Sequence, residues 1–130
     1  MIVDTSAIIA VICEEQGHVQ LEDRLEAAPE IAIGTPTLFE AAMVLTAKLG
    51  EHRGSVLSLF LEENGIVTLP FGGHHARLAT EAFIRFGKGR HPAKLNYGDC
   101  MTYATARLAE VPLLFVGDDF RMTDITPALD

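Results

Sequence analysis

Short apolar runs alternate along the chain with longer stretches in which apolar residues recur at helical spacing. The short runs are Ile2-Val3, Ile31-Ala32-Ile33, Ile66-Val67-Thr68-Leu69 and Leu113-Leu114-Phe115-Val116. They read as strands, and the last, with no polar position, as a parallel strand buried on both faces. Helices are predicted from Ala7 to about Glu14, with Thr5 and Ser6 as caps, and from His18 to Ala27. Further helices are predicted from Thr37 to about Leu49, from roughly Ser55 to Glu63, through Ala76 to Phe86 after Gly72-Gly73, and from Asn96 to about Leu108. Gly17, Pro29, Gly50, Asn64-Gly65 and Gly87 supply the stops, and Gly34-Thr35-Pro36 reads as a turn. The helix from Thr37 is apolar almost all round, which predicts a central position. Thr123 to Leu129 reads as a final short strand or helix. Strands alternating with helices predict an α/β fold, a central parallel sheet with helices on both faces.

That topology sorts the acidic residues. In a parallel sheet with crossover helices, strand C-termini and helix N-termini share one edge, where ligands bind. Asp4 and Asp118 (or its neighbour Asp119) follow strands, while Glu40 and Asp99 lie in first turns of predicted helices. All are expected at that edge. Glu14-Glu15 and Glu62-Glu63, near helix C-termini, are expected at the opposite one. Two carboxylates about 5 Å apart repel by roughly 3 kcal/mol at an effective dielectric near 20, so such a cluster calls for protons or a cation. Oxygen donors without His or Cys suit Mg²⁺ or Mn²⁺ better than zinc. Each acid also has a structural reading. Thr37-x-x-Glu40 matches a capping box, Asn96-x-x-Asp99 places an acid at a helix start, and Asp after a strand is a common turn residue.

Composition narrows the class. The chain has 130 residues, 48% hydrophobic and 22% charged, which fits one domain spanning residues 1–130 with a real core. Its longest apolar run, Ala7 to Cys13, is too short to span a bilayer, so no membrane association is expected. Asp4 stands where a secretory leader would be basic, and Cys13 and Cys100 form no disulfide framework or zinc spacing. A cytoplasmic setting is therefore expected. A formal net charge of −8 argues against non-specific binding of nucleic acid through a basic surface. Metal-holding carboxylates would nevertheless contribute to that charge. Lys88, Arg90 and Lys94 form a basic cluster just upstream of Asp99, read either as a solvated loop or as a loop that positions phosphates. Tyr97 and Tyr103 read as packing residues, with base stacking as the other possibility. His74-His75 lack a spaced partner, His18, His52 and His91 form no pattern with them, and no glycine-rich phosphate loop is present.

Ile-Val-Asp4-Thr-Ser-Ala, Thr37-x-x-Glu40, Leu95-Asn-Tyr-Gly-Asp99-Cys-x-x-Tyr-Ala and Pro-Leu-Leu-Phe-Val-Gly-Asp118-Asp-Phe-x-x-Thr-Asp together resemble the PIN-domain ribonucleases. More narrowly, the chain resembles the VapC toxins of bacterial type II toxin–antitoxin pairs, over almost its whole length. The resemblance implies a PIN-like three-layer α/β/α domain and a Mg²⁺- or Mn²⁺-dependent endoribonuclease that leaves 5′-phosphate and 3′-hydroxyl ends. It implies that Asp4 and Asp99 hold the metal, with Glu40 completing the shell or orienting water. Of the late acids, Asp118 is favoured as the fourth because it comes first after Gly117, with Asp119 the competitor. Thr5, Ser6 and Asn96 would support the ligands through hydrogen bonds. Lys88, Arg90 and Lys94 are candidates for holding RNA phosphates. A homodimer inhibited by a VapB-type antitoxin is also implied.

Three other classes fit size and acidity less well. A receiver-like phosphoacceptor needs an acidic pair after the first strand and a Lys after the last; this chain has a lone Asp4, and no Lys follows Val116. A haloacid-dehalogenase-like phosphatase needs Asp-x-Asp, where Ser6 stands second. A non-catalytic binding module would not need all four acids.

Overall fold

The computed structural model describes residues 1–51 and 54–130. Four strands, β1 (Ile2–Val3), β2 (Ile31–Gly34), β3 (Ile66–Leu69) and β4 (Leu113–Leu114), form a wholly parallel sheet in the order β3-β2-β1-β4. Ile2 lies opposite both Ala32 and Leu113, so β1 is interior and its short run is apolar throughout. The pleat sends alternate residues to opposite faces. Val3, Ile33 and Leu114 join one buried cluster with residues of α1 (Thr5–Ile12), α2 (His18–Ala27), α3 (Thr35–Leu49) and α4 (Gly54–Glu63). Ile2 and Leu113 join the other, with residues of α5 (Gly73–Phe86) and α6 (Tyr97–Ala109). Helices thus cover both faces, giving the three-layer α/β/α architecture.

Several boundaries differ from the sequence reading. Asp4, rather than Thr5 or Ser6, caps α1, accepting the Ser6 N–H at 3.0 Å. α3 begins at Thr35 with Pro in its first turn, so the expected turn is already helix and Glu40 stands beyond the first turn. Nor is α3 central. Thr37, Ala41 and Leu45 are buried, but Phe39 is 67% and Met43 56% exposed. Its apolar circumference therefore divides into a packed stripe and an open one.

β4 stops earlier than its apolar run predicts. Beyond Val3 the chain turns into α1, leaving Val116 no strand to pair with, and its N–H donates to the Ser6 hydroxyl at 3.0 Å. After a single 3-10 turn at Phe120–Met122, Pro127 bridges to Leu113, with Ala128 N–H donating to the Leu113 carbonyl at 2.8 Å. The last segment therefore covers the outer edge of β4.

Candidate active site

Asp4, Glu40 and Asp99 meet at the edge where β1 ends. With Thr5, Ser6, Asn96 and Val116 they line an open depression of about 310 Å³. Asp4 is buried, and its Oδ2 accepts both the Ser6 N–H and, at 2.6 Å, the Ser6 hydroxyl. Because that hydroxyl in turn accepts the Val116 N–H, one serine ties the first acid to the end of the fourth strand. Thr5 donates its hydroxyl to the Thr37 carbonyl at 3.3 Å, linking α1 to α3.

Asp99 sits in a reciprocal cap. Its Oδ2 accepts the Asn96 N–H at 3.0 Å, and its own N–H donates to Asn96 Oδ1 at 2.8 Å. The capping box expected at Thr37/Glu40 is thus found at Asn96/Asp99, where only an acid at a helix start was read; Thr37 is instead buried against α6 and Glu40 lies farther along the helix. Capping engages one oxygen each of Asp4 and Asp99; among the described residues, Oδ1 of neither accepts a hydrogen bond. Burial pushes the Asp99 carboxyl up to about 6; the Asn96 N–H opposes this, while the charges of Asp4, Asp119 and Glu40 push it further. The acids therefore feel one another as well as serving their helices.

Glu40 also faces Gly98, where any Cβ would run into its carboxylate. This glycine is what allows the second acid to lie against the start of α6. Among the described residues, no three Asp, Glu, His or Cys side chains are drawn together tightly enough to enclose an ion, and no basic side chain lines the depression.

The late acids separate. Asp119 is among the charges acting on Asp99, whereas Asp118 lines a different depression with Gln16, Gly17 and Arg121. Glu15, expected at the far edge, instead lines the acid site. Its short helix ends at Ile12, and Glu14, in the left-handed region at φ 51°, turns the chain back so that Glu15 N–H bonds to the Ala10 carbonyl at 2.8 Å. A Glu-Glu pair before Gly17 was the available signal, but left-handed backbone at a glutamate has no sequence mark.

Lys88, Arg90 and Lys94 are exposed on the loop between α5 and α6 and do not line the depression. The Arg90 guanidinium donates to the Ile84 carbonyl at 3.2 Å and lies 5.9 Å from the centre of the Phe83 ring. Tyr103 is buried, as its packing role requires, with its hydroxyl donating to Asp124 at 2.8 Å. Tyr97 is 84% exposed and so does not pack as expected. It lines an apolar groove of about 900 Å³ with Phe39, Met43, Phe71 and Phe83, a groove that reaches the acid site at Glu40. His52 lies outside the described residues.

Sheet order, helix layers and the edge-on acid cluster define a class, and the PIN domain family model matches residues 1–125. Ribonuclease VapC36 of Mycobacterium tuberculosis is 44% identical over 126 residues, covering 96% of this chain and 91% of that protein. A ribonuclease VapC of Mycolicibacterium smegmatis is 38% identical over 125 residues, covering 96% and 97%. In fold, the chain is similar to M. tuberculosis VapC20, described as a sarcin-ricin loop cleaving toxin, at a TM-score of 0.75 with 16% identity, covering 97% and 98%. It is likewise similar to FitAcB of Neisseria gonorrhoeae, at a TM-score of 0.70 with 19% identity, covering 97% and 94%. The chain belongs to the PIN-domain family, in its VapC branch.

Proposed function

We propose that the protein is a Mg²⁺- or Mn²⁺-dependent endoribonuclease, the toxin of a toxin–antitoxin pair acting in the cytoplasm. The observation that carries this reading is the meeting of Asp4, Glu40 and Asp99 in one depression, with the Asp99 carboxyl pushed up to about 6. The donor set fits a hydrated divalent ion: oxygen atoms alone, with an uncommitted oxygen on each aspartate and mutual repulsion that a cation relieves. Its openness matches an ion that retains several waters. When bound, the ion would supply counter-charge for a phosphate and lower the pKa of a water.

In this reading Asp4 and Asp99 would hold the ion, while Ser6 and Asn96 fix their carboxylates by hydrogen bonds to Oδ2. Thr5 anchors α1 beside Asp4. Glu40, half-buried and engaged in no cap, would complete the ion's shell or orient the attacking water. Asp119 is the fourth acid, favoured over Asp118 by its charge on Asp99. Lys88, Arg90 and Lys94 would hold RNA phosphates away from the scissile bond.

The ribonuclease names of the relatives support RNA as substrate, and the fold shared with a protein of a toxin–antitoxin complex from Klebsiella pneumoniae supports an antitoxin partner. The apolar groove suits a partner segment that buries Phe39 and Met43 and extends a cationic side chain to the acids. The protein is proposed to act as a homodimer, checked by its sedimentation mass.

The deciding experiment incubates purified, antitoxin-free protein with total RNA in Mg²⁺ or in EDTA, beside Asp99→Asn. Cleavage present in Mg²⁺, absent in EDTA and absent in the variant is expected. Cleavage indifferent to EDTA would overturn the assignment.

A further inference from the structure

Three buried threonines form a continuous polar seam beneath the acids. Thr5 adjoins Asp4, Thr37 lies one turn before Glu40 on α3, and Thr102 lies one turn after Asp99 on α6. Residues spaced i and i+3 share a helix face, so Thr37 and Thr102 follow the positions of Glu40 and Asp99. The Thr5 hydroxyl donates to the Thr37 carbonyl at 3.3 Å, and the Thr37 and Thr102 hydroxyls bond to each other at 2.9 Å. One chain of hydrogen bonds thus connects all three acid-bearing elements. The helices are also unusually close above and below it. Gly98 meets the Glu40 carboxylate, and a Cβ on Gly34, just before α3, would lie 2.7 Å from Thr105 Oγ1.

A hydroxyl pair is a poor choice if packing alone were needed. Replacing both members of such a pair with apolar groups of the same shape is often nearly neutral for stability. What the hydroxyls add is direction, because a hydrogen bond fixes the register of two helices where an aliphatic contact tolerates sliding.

We infer that Thr37 and Thr102 are positioning residues, whose mutual hydrogen bond sets the spacing between Glu40 and Asp99 for metal binding. This rests on the nuclease reading above.

The test is the double variant Thr37→Val/Thr102→Val, which keeps side-chain shape and leaves no hydroxyl unpartnered. Mn²⁺ binding is read by electron paramagnetic resonance of the free ion, beside RNA cleavage and the metal-free melting curve. The expected result is a near-parental melting curve with Mn²⁺ affinity weakened by about tenfold or more and cleavage lowered alongside. Thr37→Ser/Thr102→Ser, which retains both hydroxyls, should restore affinity. Parental Mn²⁺ affinity in the folded valine variant would overturn the inference. If that variant does not fold, Thr102→Ala against Thr102→Ser decides, since both lose the methyl and only serine keeps the bond; equal affinities would overturn it. A parent protein that binds no Mn²⁺ and cuts no RNA would instead sink the nuclease reading, and this inference with it.

Discussion

An aspartate at a helix start commits one oxygen to the backbone and keeps another for chemistry, and two of the acids here do both. Burial raises the Asp99 carboxyl from 3.8 to about 6, so the folded protein holds this proton more tightly than the unfolded chain does. Its contribution to stability is complete below about pH 4 and is lost as pH rises through about 6. With allowance for solvent screening of a partly open carboxyl, the loss is about 1–2 kcal/mol. Metal-free Asp99→Asn should therefore melt above the parent near pH 7.5, with the difference vanishing near pH 4 in circular-dichroism melts. Asp119→Asn should lower cleavage by on the order of tenfold while Asp118→Asn stays near the parent, measured on one RNA substrate. Gly98→Ala separates stability from function. Removing a glycine from a helix gains up to about 1 kcal/mol, offset by about 0.5–1.5 kcal/mol for turning the Glu40 side chain aside. The variant should melt close to the parent and cleave poorly.

At the scale of elements, the alternation of apolar runs located the four strands and six α-helices among the described residues, because short apolar runs between helical repeats carry a local signature. The convergence of Asp4, Glu40 and Asp99 was legible for the same reason: parallel topology alone assigns them to one edge. What escaped depends on contacts between distant residues. β4 is cut short by Ser6, more than a hundred residues away in sequence. α3 leaves an apolar stripe open at Phe39 and Met43 although it meets α1, α4, α6 and the sheet elsewhere, which helical periodicity alone does not reveal. Glu15 reaches the site through a left-handed turn at Glu14. Sequence order favoured Asp118 over Asp119, but order after Gly117 carries no information on the course of the chain into the 3-10 turn, and it is Asp119 whose charge acts on Asp99. The open stripe carries its own prediction. Phe39→Asp should prevent the antitoxin from rescuing growth while leaving cleavage by the free protein intact, measured by co-expression and by an RNA assay.

For the molecule as a whole, a divalent ion bound as proposed would act against a net charge of −8 as both ligand and counter-ion. Mn²⁺ at about a hundred times its dissociation constant should stabilise the parent by roughly 2.7 kcal/mol, and Asp4→Asn/Asp99→Asn should show no such gain in thermal melts. Since Ser6 and Asn96 already restrain Asp4 and Asp99, neither carboxylate has to be organised by the incoming cation. Stripping and reloading the enzyme should accordingly be a rapid, repeatable operation on an intact scaffold. On the proposed chemistry, loss of magnesium would leave the molecule dormant rather than denatured, ready to resume cutting once the ion returns.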